Sequence, residues 1–275
     1  MTLSLLVLTD FFQPADHALA YADALASASG AQLVLLHVRR DSLLDPEYLT
    51  GRVNNLSQEA IDLALASLTR QLTAPVVAEV AHGQVADAVA NALRRYQPAL
   101  VVLGHRNTEA IPDELVSTAA LDILRTAPQP MLVVPIRAPA SRVPRRILLA
   151  LDGEDFSLGA QAGLVRHLFA ALHAELTVLH VGHDPASLAA GRAAVSETLE
   201  RTGLALGLAT AVRTQGLVHG TPAGGILQAV AGGEFDWVVL VARPRSFLGE
   251  LFHRSVTAHV LLHSPIPVLV LPATP

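Results

Sequence analysis

The sequence predicts an α/β fold: two doubly wound parallel-sheet domains in tandem. Three observations carry that prediction. The first is a long repeat. Residues 3–38 (LSLLVLTDFFQPADHALAYADALASASGAQLVLLHV) and 146–181 (RILLALDGEDFSLGAQAGLVRHLFAALHAELTVLHV) share one order: an apolar run ending in Asp (Asp10, Asp152), an Ala/Leu-rich stretch, and a second apolar run ending in His-Val (His37-Val38, His180-Val181). Further on, His82-Gly83 matches His219-Gly220, LVVL at 100–103 matches WVVL at 237–240, and PQPMLVVP at 128–135 matches PIPVLVLP at 265–272, all at a constant offset of 137. The second observation is the size of the unit, which is that of a domain and not of a solenoid repeat of roughly 20–50 residues. The third is the character of the apolar runs. They are continuous Val/Leu segments without polar alternation, as strands are when both faces are covered.

In the first half the pattern predicts strands at 3–9, 32–38, 75–81, 100–104 and 131–135, with helices at 15–29, 56–72, 84–96 and 114–126. In the second it predicts strands at 146–151, 175–181, 210–216, 236–241 and 267–271, with helices at 156–173, 184–203, 222–233 and 251–263. Alternation of this kind builds parallel sheets with right-handed crossovers and helices on both faces. The domains are expected at 1–138 and 144–275, joined by a short exposed linker, RAPASRVP, at 137–144. At 275 residues and 51% hydrophobic, the chain has enough apolar matter for two cores.

Composition narrows the function. No apolar segment reaches the ~18 residues of a membrane span. The N-terminus lacks a basic n-region, and Asp10 interrupts its first apolar run, so it reads as a strand and not a signal peptide. The absence of cysteine excludes thiolate metal sites and Cys nucleophiles and fits a cytoplasmic location. A net charge of −5 and 4% aromatics argue against nucleic-acid binding. Lysine is absent, so no P-loop and no Schiff-base chemistry is available. No Gly-x-Ser-x-Gly elbow is present either. The catalytic set is therefore empty.

Ligands of doubly wound sheets bind at the carboxyl ends of strands, where the strand order reverses. Asp10 and Asp152 are predicted there. Each carboxylate could accept from a ribose hydroxyl or an adenine amine, or could cap a helix, and position alone leaves both readings open. Histidines form a second candidate set. His180, His183 and His219 exit neighbouring strands of the second half and could bind zinc. Against this, His37, His82, His180 and His219 recur at matching places, which favours a scaffold role bonding backbone groups. His259 and His263 form an i, i+4 pair without neighbouring carboxylates.

After the fourth strand the first half reads Gly104-His105-Arg106-Asn107, nine residues, then Ser117-Thr118; the second reads Val241-Ala242-Arg243-Pro244, nine residues, then Arg254-Ser255. Together with the strand-Asp and His-Val order and the closing Pro-x-Pro runs, this resembles the universal stress protein family, once per half. The resemblance implies the adenine nucleotide alpha hydrolase-like fold and a tandem, two-domain member. It also implies a nucleotide site built on Gly-x-x-Gly, nine residues, Gly-Ser/Thr. Carried over by position, the first-half residues are Asp10, Val38, Gly104, Asn107, Ser117 and Thr118, with ATP as the implied ligand. The second-half residues are Asp152, Val181 and Ser255, beside Val241, Pro244 and Arg254.

One of three glycines remains in the first half and none in the second. Pro244 there removes an amide donor. The expectation is a non-catalytic stress-response or regulatory binding protein with degenerate nucleotide sites. The alternative is an adenine-nucleotide binder, or very slow ATPase, working through the first half only. Zinc binding is a more remote alternative. The resemblance further implies assembly through the last strands, Met131–Val134 and Val268–Leu271, one option being an intramolecular pseudo-dimer of the two domains, with two such chains then associating further as a homodimer.

Overall fold

The computed structural model describes residues 3–39, 56–105, 120, 123–124, 128–140, 143–243 and 255–273. Among these the first half contributes β1 (Ser4–Thr9), α1 (Gln13–Ser29), β2 (Gln32–Arg39), α2 (Gln58–Thr69), β3 (Val76–His82), α3 (Val85–Tyr96), β4 (Leu100–His105) and β5 (Met131–Pro135). The second contributes β6 (Arg146–Ala150), α4 (Gln161–Ala171), β7 (Glu175–Gly182), α5 (Pro185–Thr202), β8 (Arg213–Val218), α6 (Pro222–Ala231), β9 (Trp237–Ala242), α7 (Val256–His263) and β10 (Val268–Pro272). Most of the expected helix at 114–126 and the start of that at 251–263 lie outside the described residues.

The ten strands form one sheet in the order β3-β2-β1-β4-β5-β10-β9-β6-β7-β8. Neighbours within each half are parallel, and β5 and β10 meet antiparallel, with Leu132 opposite Leu269. Both seam strands are buried along their whole length, whereas the outermost strands β3 and β8 contain no fully buried residue. An apolar strand left as an edge is an aggregation template, and the mutual pairing of β5 and β10 removes that edge from each half.

The two cores are divided by sheet face and not by half. One collects Leu5, Val7 and Leu35 with Ile147 and Leu149 under α1, α2, α4 and α5. The other collects Leu6, Val34 and Val101 with Leu148, Val238 and Val270 under α3, α6 and α7. Strand side chains alternate in direction, so each strand feeds both faces, and the seam makes each face continuous.

Helix ends follow local chemistry. In α1, Pro14 stands in the first turn and Gly30 closes the helix at φ 66°, its N–H bonded to the Ala26 carbonyl. In α5, Asp184 and Ser187 form a reciprocal capping box. The helix expected at 156–173 starts only at Gln161. Two turns occupy the residues before it: Asp152 Oδ1 accepts from Glu154 N–H at 3.0 Å, and Ser157 Oγ accepts from Gly159 N–H at 3.1 Å. These side-chain bonds offer the backbone an alternative to helix. The third strand of the second half is likewise shifted, to 213–218.

Candidate functional site

The first-strand exits open on the same local structure in both halves. Asp10 Oδ1 accepts from Phe12 N–H at 3.0 Å, as Asp152 Oδ1 does from Glu154 N–H at 3.0 Å. Each carboxylate thus makes a turn two residues on. Asp10 is not the cap of α1, since Phe12 holds that position. The residue after each Asp is left-handed: Phe11 at φ 62° and Gly153 at φ 85°. Glycine takes that conformation without strain, and phenylalanine does not. The Phe11 ring rests on the His37 imidazole, centroids 4.4 Å apart, and this contact offsets part of the strain.

The repeated histidines hold strand exits together. His37 Nδ1 lies 2.9 Å from the Thr9 carbonyl oxygen, and His180 Nδ1 lies 3.1 Å from that of Leu151. Burial pushes the His37 pKa below its ordinary value, against the opposing pull of the Thr9 carbonyl and the Asp10 charge. The other ring nitrogen of His180 faces α5 so closely that a Cβ on Gly191 would stand 1.9 Å from Nε2. His183 Nε2 pairs with Asp184 at 3.1 Å, and His219 Nδ1 bonds the Thr221 backbone. His263 Nδ1 bonds the His259 carbonyl at 2.8 Å. Among the described residues no group of three or more His, Asp or Glu could hold a metal ion.

Gly104 has a packing duty of its own. A Cβ there would meet the Pro14 carbonyl oxygen at 2.0 Å and Ala15 N at 2.8 Å, so the first turn of α1 lies directly on the end of β4. The main chain of α1, and no open space, adjoins the face where that Cβ would stand. Asp16, in the same turn, has its pKa raised by burial and then by the Asp10 charge. Val38 packs at the margin of the α3 core. Asn107, Ser117 and Thr118 lie outside the described residues, as do Pro244 and Arg254.

The second half differs at this place. Val241 packs into the α1/α4 core, and α4 begins too late to cover β9 as α1 covers β4. Instead, Arg243 reaches from the end of β9 to the end of β6. Its two terminal nitrogens donate to Asp152 Oδ2 at 2.7 Å and Oδ1 at 2.9 Å, and Nη2 donates also to the Glu154 carbonyl at 2.9 Å. The guanidinium is largely enclosed, with 15% of the side chain exposed. Burial opposes ionisation of Asp152, but the bonds from Arg243 and from Glu154 N–H outweigh it, holding the carboxyl below its ordinary value.

The other candidate positions of this half are also engaged. A Cβ on Gly225 would meet Val181 Cγ1 at 2.6 Å, so the first turn of α6 rests on Val181. Ser255 caps α7, its Oγ accepting from Ala258 N–H at 3.0 Å. Sequence reasoning named Asp152 but passed over Arg243. A signal was present: an arginine stands at the same place in both copies, Arg106 and Arg243.

Comparison with known proteins agrees with this architecture. The model of the universal stress protein family matches residues 1–135 and again 144–272. A universal stress protein of Mycobacterium tuberculosis is 26% identical over 147 residues, covering 53% of this chain and 45% of its own length. The chain therefore spans about half the length of that relative. A universal stress protein of Thermus aquaticus is 33% identical over 139 residues, 46% of this chain and 97% of its own. Among solved structures, a universal stress protein from Archaeoglobus fulgidus superposes over 98% of both chains with a TM-score of 0.71 at 17% identity. One from Pseudomonas aeruginosa covers 98% of this chain and 93% of its own at 0.61 and 19% identity. At such identities the structural likeness speaks for fold alone, but the matched family model covers most of the chain twice over. The chain belongs to the universal stress protein family, as a tandem member with one family unit in each half.

Proposed function

We propose that this chain is a non-catalytic regulatory binding protein of the stress response, acting in the cytoplasm, in which the second nucleotide site is closed by its own side chains. The observation that carries the reading is the double bond of Arg243 to Asp152, with a third to the Glu154 carbonyl. It spans the crevice between β6 and β9, where the strand order reverses and a ligand of this fold would sit. A ribose or an adenine amine approaching Asp152 must displace a guanidinium that satisfies both carboxylate oxygens. Val181 and Ser255, the other residues carried over from the family pattern, are held by α6 packing and by a helix cap. The domains are taken as 1–138 and 144–275, paired through β5 and β10 as an intramolecular pseudo-dimer.

A second reading, adenine-nucleotide binding by the first half, has a specific basis. Gly104, Asn107, Ser117 and Thr118 all keep backbone donors, where the second half has Pro244. Isothermal titration with ATP separates the two readings. The first predicts no saturable binding up to millimolar ATP. One-site binding that disappears in Asp10→Ala and persists in Asp152→Ala establishes the second. Binding lost in Asp152→Ala overturns both.

A further inference from the structure

The strands at the seam are nearly interchangeable. Leu132 and Leu269 face each other and occupy the same position of the repeat; Met131 pairs with Val270, and Val133 with Val268. A local two-fold axis therefore runs through the Leu132–Leu269 pair. On strand sequence alone, MLVVP could pair with a second MLVVP as readily as with VLVLP. Such a pairing would join two first halves from different chains.

The contacts above the seam are not symmetric. Tyr21 of α1 is 3% exposed and Trp237 of β9 is fully buried; the indole N–H donates to the Tyr21 hydroxyl at 2.7 Å. Tyr21 belongs to the first half and Trp237 to the second. The two-fold carries Tyr21 to Leu164 and Trp237 to Leu100. The helix equivalence follows from the left-handed closures at Gly30 and His173, each succeeded by a buried alanine, Ala31 and Ala174. A second contact breaks the symmetry in the same sense. Gln161 Nε2 of α4 donates to the Pro128 carbonyl at 3.1 Å and lies 3.3 Å from Gln129 Oε1. The equivalents of Gln161 and Gln129 are Ala18 and Ile266.

We infer that the Tyr21–Trp237 hydrogen bond makes the seam selective: a second half accepts a first half and rejects another copy of itself. Joining two second halves sets Trp237 against Leu164, and a buried indole N–H finds no acceptor there. Heterotypic pairing gives the buried indole N–H its acceptor. Selectivity by leaving the wrong partner's polar groups unpaired is a general device of specific interfaces.

The chain has no cysteine, which makes the test direct. Leu132→Cys and Leu269→Cys are introduced together into the full chain, which is refolded with glutathione disulfide and digested with trypsin. Mass spectrometry then counts the links. A 132–269 link reports heterotypic pairing; 132–132 and 269–269 links report homotypic pairing. With Tyr21 and Trp237 intact, the 132–269 link dominates. With Tyr21→Leu and Trp237→Leu added, which restores the symmetric arrangement, homotypic links rise about tenfold or more relative to 132–269. The milder Tyr21→Phe keeps the ring and serves if the double variant does not refold; it gives a smaller rise in the same direction. A ratio that either refolded variant leaves unchanged overturns the inference, since the linker alone would then set the pairing.

Discussion

The exits of β1 and β6 begin alike and end differently. Asp10 and Asp152 each bond the N–H two residues on, and a left-handed residue follows each. In the first half, α1 then starts at once, and its Pro14 main chain lies on Gly104. In the second half, two turns delay α4 to Gln161, Val241 stands where Gly104 would be, and Arg243 crosses to Asp152. The glycine and the early helix belong together, as do the valine and the late helix. The difference teaches that a glycine in a ligand-loop position can be required by packing. Its presence in the first half is therefore weaker support for a phosphate site than the sequence pattern suggests.

The largest expected effect breaks that correspondence. Gly104→Val drives a side chain into the Pro14 backbone, which cannot move aside as a flexible side chain would. It should cost about 3 kcal/mol or more. The reciprocal Val241→Gly removes packing and loosens the unfolded backbone without any clash, and should cost about 2 kcal/mol. Urea unfolding midpoints compare them, and equal losses would refute the pairing of glycine with early helix. Next in size is Arg243→Ala. The carboxylate it leaves is about half exposed, so solvent screening limits the loss to about 1 kcal/mol. The loss should shrink for the wild type's margin over the variant as salt is raised.

The smallest effect is in pH dependence, and it separates the halves. Burial lowers the pKa of His37 and, against the last turn of α7, of His105, from the ordinary 6.5. A base with a lowered folded pKa binds fewer protons folded than unfolded. Its contribution is complete above about pH 6.5 and is lost as pH falls through the folded value. The Asp152 carboxyl behaves as a lowered acid. Its contribution is complete above its ordinary 3.8 and is lost only as pH falls below that, through the folded value. Melting temperature against pH should therefore show a first decline below 6.5, reduced in His37→Gln, and a separate one at stronger acid, reduced in Arg243→Ala.

Much of the fold was legible in the sequence because its signals are local. Continuous Val/Leu runs marked β1, β2, β4 and β5 and their counterparts, since strands covered on both faces need no polar alternation. The repeat marked two units. The late start of α4 was missed: Ser157 and Gly159 are turn residues, and Gly159 is left-handed at φ 51°, but the apolar periodicity of the stretch outweighed them in the reading. Asp10 and Asp152 were found by position, but their common turn was not distinguishable from capping or ligand binding. Arg243 with Asp152 and Tyr21 with Trp237 join residues 91 and 216 apart in sequence. Such contacts arise only once strand order and helix packing bring the elements together. The division of the core by sheet face followed from the β5–β10 pairing, which the composition of each half does not reveal.

The account rests most heavily on Arg243 holding Asp152, and the carboxyl itself can report it. Carboxyl ¹³C NMR titration of Asp152, in the wild type and in Arg243→Ala, measures the hold. The account predicts a midpoint below the ordinary carboxylate value in the wild type. It predicts a clear rise in the variant, where burial acts with less opposition. A midpoint that is ordinary in the wild type, or that Arg243→Ala leaves unchanged, would contradict a closed second site.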